Sequence, residues 1–300
     1  MSLQVEVRDL VKSFDTVRAL DGFQMTVPAG TVYGLVGPNG AGKTTLIRHL
    51  TGVYRQDAGT VQIGGERVYE NPALKERVIC IPDELYFFLQ ANVRDMMRFY
   101  RSVYPRFDST HFEKLAELFR LDMKRPVRKF SKGMQKQVAF WLAMSLRPEL
   151  LILDEPVDGL DPVMRRQVWG VISNDVAERG TTVLVSSHNL RELEDVCNYV
   201  GIMHKGKLLL ERSLRDMRGA VQKLQILLPE GGALPESLEV LHRGAMGRVQ
   251  SLIVRGSAEE IAEKVAGASP IYFELLPMSL EEIFIYELGG ADHAIGEIIL

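Results

Sequence analysis

The sequence predicts an α/β fold: a parallel sheet covered by helices, with a helical insertion and a small α+β module at the C-terminal end. Three observations carry this reading. Strand-like and helical patterns alternate up to about residue 215. The segments Leu150–Leu153 and Val183–Val185 are apolar throughout, as strands buried on both faces are. Between Asp83 and Arg147 the strand signals stop, and they return beyond Ala220 in a different arrangement.

Taken in order, the expected strands are "LQVEVRDL", "TVYGLVG", "TVQIGG", "RVICIP", "LLILDEP" and "TTVLVSSH". Helical patterns follow Gly42, run through Glu113–Phe119 and Gln135–Leu146, and start again after Pro162. Right-handed crossovers are expected between the parallel strands. The stretch at about 84–147 reads as a helical subdomain rich in aromatics ("YFF", "RFYRSVY"). The first domain thus covers residues 1–215 and a small α+β domain covers 220–300, with the boundary near Ala220. In the latter, "LQILL", "SLEVL", "VQSLIVRG" and "IYFELL" read as strands, and "SAEEIAEKVA" and "SLEEIFIYEL" as helices.

Composition narrows the function. At 300 residues, 46% hydrophobic and 25% charged, the chain is ordinary for a globular protein with a full core. A net charge of -3 argues against a dedicated nucleic-acid binder, although a local basic patch can coexist with it. The longest apolar run, Val138 to Met144, is far short of the roughly 20 residues that cross a bilayer. "MSLQVEVRDL" lacks the basic-then-apolar layout of a signal peptide. Cys80 and Cys197, in strand-like and helix-like contexts, read as reduced core residues, not as a disulfide or metal pair. A cytoplasmic location is expected, at a membrane only if a partner holds the chain there.

"GPNGAGKTT" follows the apolar "VYGLV" and precedes a helical pattern. It fits the P-loop form G-x-x-x-x-G-K-[ST] across Gly37, Pro38, Asn39, Gly40, Ala41, Gly42, Lys43, Thr44 and Thr45. Small residues let backbone N–H groups close around phosphate oxygens, and the helix N-terminus adds partial positive charge. Lys43 reaches the β- and γ-phosphates, and the Thr44 hydroxyl is a Mg²⁺ ligand. "LLILDEP" places Asp154 at the carboxyl end of a buried strand as a second Mg²⁺ ligand, direct or through water. Glu155, next in line, can orient or deprotonate a water attacking the γ-phosphate. His188 closes "TTVLVSSH" before an expected helix and is positioned to hydrogen-bond a γ-phosphate or that water.

A second phosphate grip appears in "FSKGMQKQVAF". Ser131 is the expected N-cap, Gly133 allows close backbone approach, and a long helix follows. The cations Lys124, Arg125, Arg128, Lys129, Lys132 and Lys136 read as its solvated basic face. One triphosphate is already enclosed by the P-loop, so a second helix N-terminus approaches from the open side. The simplest supplier is another subunit, which gives composite sites related by a two-fold axis.

From about Leu3 to Glu211 the chain resembles the nucleotide-binding subunit of an ATP-binding cassette (ABC) transporter: P-loop, "FSKGM", "LLILDEP", "DGLDP" and "SSH" come in that family's order. "FSKGM" is similar to its LSGGQ signature, assigning Ser131, Gly133 and Met134 to nucleotide. "DGLDP" is similar to its D-loop, assigning Asp161 to the subunit junction. Phe14 corresponds to the aromatic that stacks on adenine, with Val17 beside it. The resemblance implies an ABC-type P-loop ATPase fold, ATP and Mg²⁺ as ligands, and hydrolysis.

Three departures stand out: Lys132 replaces the first signature glycine, Met134 replaces the glutamine, and Asp83 stands where the Q-loop has glutamine. A carboxylate at Asp83 can meet nucleotide, Mg²⁺ or water but cannot donate a hydrogen bond. The signature methionine and the closing "PMSLEEIFIYELGG" are similar to ATPases of ABC-2-type export permeases. That implies integral-membrane permease subunits on separate polypeptides, a homodimer or a heterodimer with a paralogue, and a place on the inner face of the plasma membrane. Tyr86, Phe87, Phe88, Phe99, Tyr100 and Tyr104 form either the permease-docking groove or helical core. Two further readings stay open: a soluble ABC ATPase acting on ribosomes or DNA, and a non-hydrolysing nucleotide sensor.

Overall fold

The computed structural model describes residues 2–288. The end of the expected C-terminal domain, residues 289–300, lies outside the described residues. The chain forms two compact units, one running from the N-terminus to His188 and taking in Val196–Glu211, the other made of Asn189–Asp195 and the chain from Arg212 onward.

The first unit begins with β1 (Val5–Phe14), β2 (Val17–Val27) and β3 (Val32–Val36), then α1 (Lys43–Leu50), β4 (Ala58–Ile63) and β5 (Glu66–Arg67). A single helical turn α2 (Pro72–Lys75) leads to β6 (Val78–Ile81). The helical insertion consists of α3 (Val93–Val103), α4 (Ser109–Phe119) and α5 (Lys132–Ser145). Then come β7 (Leu150–Asp154), α6 (Pro162–Arg179), β8 (Thr182–Ser187), β9 (Tyr199–His204) and β10 (Lys207–Ser213). Two sheets result, an antiparallel one in the order β2-β1-β4-β5 and a six-stranded one in the order β10-β9-β3-β8-β7-β6.

In the larger sheet β3 lies parallel to β8 and β9, and β7 parallel to β6 and β8. Its registers align the strand ends: Val36 pairs with Ser187, Asp154 with Ser186, and Ile81 with Leu153. The residues that follow, Gly37, Asp83, Glu155 and His188, therefore leave the sheet at one carboxyl edge. This is where open α/β sheets hold their ligands. Every residue of β3, β7 and β8 is buried, which fixes the edge rigidly.

The insertion has its own aromatic centre. Trp141 stacks on Phe112 at 4.6 Å, and its indole N–H donates to the Phe112 carbonyl at 2.7 Å. Asn92 and Asp95 form a reciprocal capping box on α3, and Asp108 caps α4. Ser131 caps α5, accepting from Met134 N–H at 3.3 Å.

The second unit contains α7 (Leu214–Ala220), β11 (Val221–Leu227), β12 (Glu239–Met246), β13 (Val249–Arg255), α8 (Ala258–Ala266), β14 (Tyr272–Leu276) and α9 (Leu280–Leu288). Its four strands form an antiparallel sheet in the order β12-β13-β11-β14. Leu224, Ile226, Leu252 and Val254 pack against Ile261 and Val265 of α8 to make a separate core. Arg191 bridges to Glu281 at 2.7 Å and Glu194 accepts from Leu280 N–H at 3.0 Å, which holds the 189–195 segment in this unit.

Several expectations need correction. No helix follows His188; a single 3₁₀ turn, Leu190–Glu192, stands there, and Cys197 lies outside any helix. The chain also has β2, β9 and β10, which the sequence patterns did not announce. Cys80 and Cys197 are free thiols, and burial raises both pKa values, that of Cys80 to about 12. Among the described residues no helix is long and apolar enough to cross a membrane.

Candidate active site

The P-loop wraps the N-terminus of α1, and steric contacts explain its glycines. A Cβ on Gly37 would lie 2.3 Å from the Met203 carbonyl oxygen. Gly42 adopts φ +111, and a Cβ there would come within 2.8 Å of the Ala19 carbonyl. The turn between β9 and β10 closes the cradle from behind: Gly206 N–H donates to the Ala41 carbonyl at 2.8 Å, and Asp21 N–H to that of Gly206 at 3.0 Å. Gly42 offers no side-chain cap, so the first N–H groups of α1 keep their capacity for an anion.

The loop opens onto a cleft of about 460 Å³ lined by Val17–Ala19, Pro38–Thr45, Asp83, Asp154, Glu155, Lys205 and Gly206. Lys43 is buried, its ammonium donating to the Gly37 carbonyl at 2.6 Å and standing 3.6 Å from Glu155 Oε1. The Thr44 hydroxyl donates to Asp154 Oδ2 at 3.2 Å, and the Ser186 hydroxyl to Oδ1 at 2.5 Å. Asp154 is therefore clamped from both sides with Thr44 directly before it.

Glu155 is fixed more tightly than a strand-end carboxylate usually is. Its backbone sits at φ +47, a left-handed conformation that non-glycine residues rarely hold without support. Its N–H donates to the Ser186 carbonyl at 3.2 Å, and its own carbonyl accepts from the Lys136 ammonium at 2.8 Å. His188 Nδ1 lies 2.9 Å from Glu155 Oε2, so that with Nδ1 protonated the imidazole donates to the carboxylate. Glu155 is thus held at backbone and side chain, its carboxylate between the Lys43 ammonium and the His188 imidazole.

The set of oxygen donors suits a hard cation. Among the described residues no group of three His, Cys, Asp or Glu side chains could hold a metal. A Mg²⁺ ion at this site would have the Thr44 hydroxyl and the Asp154 carboxylate as protein ligands. That is the sparse arrangement Mg²⁺ takes when phosphate oxygens and water complete its octahedron.

The expected site residues fall into two groups. Those of the P-loop, Asp154, Glu155, His188, Val17 and Asp83 gather at the cleft. Asp83 there stands 3.7 Å from the Lys136 ammonium. Phe14 is outside the cleft lining, exposed, with its ring 5.2 Å from that of Tyr54 and the Lys12 ammonium 5.5 Å above it. Ser131, Gly133, Met134 and Asp161 are also outside it. Ser131 is exposed, and a Cβ on Gly133 would sit 3.4 Å from the Gly159 carbonyl, so the signature turn borders the "DGLDP" segment. Asp161 accepts from Val163 and Met164 N–H at 3.0 Å, capping α6.

Sequence reasoning missed the Met203–Gly206 wall, Arg18 and Lys205 at the cleft, and the role of Lys136. The last is a correction. Lys124, Arg125, Arg128, Lys129 and Lys132 are exposed as expected of a basic face, but Lys136 is buried. Of the aromatics, Phe87 is core, whereas Tyr86, Phe88 and Phe99 are exposed, and Tyr100 and Tyr104 are half-buried and stacked.

Comparison with known proteins agrees with this geometry. Residues 20–158 match the family model described as ABC transporter. The chain is 30% identical over 289 residues to the ABC transporter ATP-binding protein YtrB of Bacillus subtilis (strain 168), covering 95% of this chain and 98% of that one. It is 29% identical over 312 residues to the bacitracin transport ATP-binding protein BcrA of Bacillus licheniformis, covering 97% and 99%. A solved ATP-binding subunit of an ABC transporter superposes with a TM-score of 0.66 at 29% identity, over 71% of this chain and 91% of that one. The chain belongs to the ATP-binding proteins of ABC transporters, the ATP-hydrolysing subunits that power transport.

Proposed function

We propose that this chain is the peripheral ATPase of an exporter, and that it works as one half of a nucleotide-clamping pair. Two copies, or this chain and a paralogue, each bind Mg·ATP in the P-loop cleft. Each closes the other's site with its Ser131 turn. Closure pushes on integral-membrane permease subunits at the inner face of the plasma membrane, and hydrolysis resets the pair. Nucleic acid has no part in this cycle.

One observation carries the reading: Lys43, Thr44, Asp154, Glu155 and His188 converge on one cleft, while the second phosphate grip stands exposed away from it. Lys43 and the α1 N-terminus neutralise the phosphates. Thr44 and Asp154 would hold Mg²⁺, which would supply charge neutralisation to the phosphates. Glu155 orients the attacking water and takes its proton. His188 holds the carboxylate and presents its remaining ring nitrogen to the γ-phosphate side. Phe14 supplies the adenine platform with Val17, and Asp83 meets the water or metal edge. Export is favoured by the resemblance to the bacitracin transport protein, and the exposed Tyr86, Phe88 and Phe99 supply an apolar surface for a permease.

The test is steady-state hydrolysis by the purified chain. Turnover of Mg·ATP that disappears in Lys43→Ala supports the ATPase reading. Absence of turnover in the wild-type chain, alone and reconstituted with its permease, would make it a nucleotide sensor instead.

A further inference from the structure

Lys136 is the cation that departs from the pattern of its segment. It sits five residues past Ser131 on α5, about 7.5 Å along the helix axis. Its side chain is only 10% exposed, whereas its neighbour in charge, Asp83, is 55% exposed. A buried ammonium needs partners for its charge and its protons. Here they are the Glu155 carbonyl at 2.8 Å and the Asp83 carboxylate at 3.7 Å. The first is a hydrogen bond; the second, beyond hydrogen-bond reach, is a countercharge.

The target of that hydrogen bond matters. Glu155 is at φ +47, so its peptide planes are set by what surrounds them. On the N–H side Ser186 holds it, and on the carbonyl side Lys136 does. The Lys136 bond thus anchors the carbonyl end of the residue whose carboxylate extends to Lys43 and His188. Lys136 is not among the residues that line the P-loop cleft.

We propose that Lys136 is a positioning residue for ATP hydrolysis: its ammonium locks the backbone of Glu155 and thereby aims the carboxylate, with Asp83 as its countercharge. The proposal rests on the reading of Glu155 as the general base. Because Lys136 and Ser131 share one helix, a shift of α5 at the Ser131 end reaches Glu155 through this bond. The arrangement ties the turn that grips the opposite nucleotide to the base acting on the chain's own.

The full-length chain tests this through the split between turnover and binding. Lys136→Met keeps the apolar stem and removes the donor. It lowers kcat about 10- to 100-fold, the scale of a misplaced catalytic group, while the Kd for a fluorescent ATP analogue stays within about twofold. Lys136→Arg restores most of the turnover, since a guanidinium can reach the same carbonyl and a cavity of about 520 Å³ beside Lys136 and Asp83 admits it. If Lys136→Met fails to fold, Lys136→Gln, too short to reach, carries the same expectation. The proposal is overturned by wild-type kcat in the donor-less variant, by matched losses of kcat and analogue affinity, or by Lys136→Arg as slow as Lys136→Met. Glu155→Gln run in parallel separates the failures. If it retains wild-type turnover, the reading of Glu155 is wrong; if it alone loses turnover, only the role of Lys136 is.

Discussion

The chain has two helix N-termini built for phosphate, and they are built differently. At α1 the cap is Gly42, which supplies no side chain, and the loop before it is pressed against Met203 and Ala19 so that only its cleft side is open. A lysine and a hydroxyl of α1 and two carboxylates at the end of β7 are already oriented around that opening. At α5 the cap is Ser131, exposed, holding Met134 N–H at 3.3 Å, with the exposed cations Lys129 and Lys132 on either side. In the function proposed above, the first terminus is half of a catalytic site within one chain, and the second is its charged complement, acting on a nucleotide bound by another subunit.

Breaking the two ends should therefore give different failures. The largest effect is expected at the self-sufficient end: Glu155→Gln lowers kcat about 10²- to 10⁴-fold, the usual contribution of a general base, with ATP affinity retained. Binding titration and steady-state kinetics on the same preparation check it. At the other end, Ser131→Arg puts bulk and like charge on the complement. It should reduce hydrolysis about 10²-fold while leaving the Kd of the isolated chain for ATP within about twofold. Loss of ATP binding in the isolated Ser131→Arg chain would erase the distinction drawn here.

A smaller effect sharpens the picture of the cleft. Phe14 lies outside the lining residues yet is exposed and ringed by Tyr54 and Lys12. Stacking on a base is worth about 1–3 kcal/mol, so Phe14→Ala should weaken ATP binding roughly tenfold or more with kcat little changed. Equal affinity for wild type and variant would leave Phe14 as packing alone.

The smallest effect concerns stability. Burial holds the imidazoles of His49, on α1, and His111, on α4, below the ordinary histidine pKa. His49 Nδ1 donates to the Thr45 carbonyl at 2.8 Å, and its buried Nε2 has no partner among the described residues. The unfolded chain binds protons on these groups near pH 6.5, the folded chain only lower. Their contribution is therefore complete above about pH 6.5 and declines as pH falls below it. Thermal melts should show a lower Tm at pH 5.5 than at 7.5, and a smaller drop in His49→Gln. The carboxylates with depressed pKa values, such as Asp57 and Glu149, add their own loss only under more acidic conditions.

The legible parts of the sequence were those where chemistry and local pattern coincide. "GPNGAGKTT" after an apolar strand, "LLILDEP" and "TTVLVSSH" place their residues at strand ends, and the sheet registers align those ends. In the C-terminal unit β11, β13, β14, α8 and α9 were also readable, whereas α7 and the second half of β12, residues 242–246, were not. β2 was not. Its buried residues run Leu20, Phe23, Met25, Val27, and the irregular pairing opposite Leu10–Lys12 breaks the period of two at Asp21 and Gly22. Lys136 was misjudged because a lysine among lysines looks solvated. Only the fold brings a strand-end carbonyl and Asp83 to it. The left-handed Glu155 has no local mark in the sequence at all.

The central claim is that the exposed Ser131 turn completes a nucleotide site on another subunit. Sedimentation velocity of Glu155→Gln at micromolar concentration tests it most directly. With Mg·ATP the variant should sediment as a dimer and with Mg·ADP as a monomer, and adding Ser131→Arg should abolish the ATP-dependent dimer. A Glu155→Gln chain that binds ATP and remains monomeric, or a dimer indifferent to Ser131→Arg, would contradict the account.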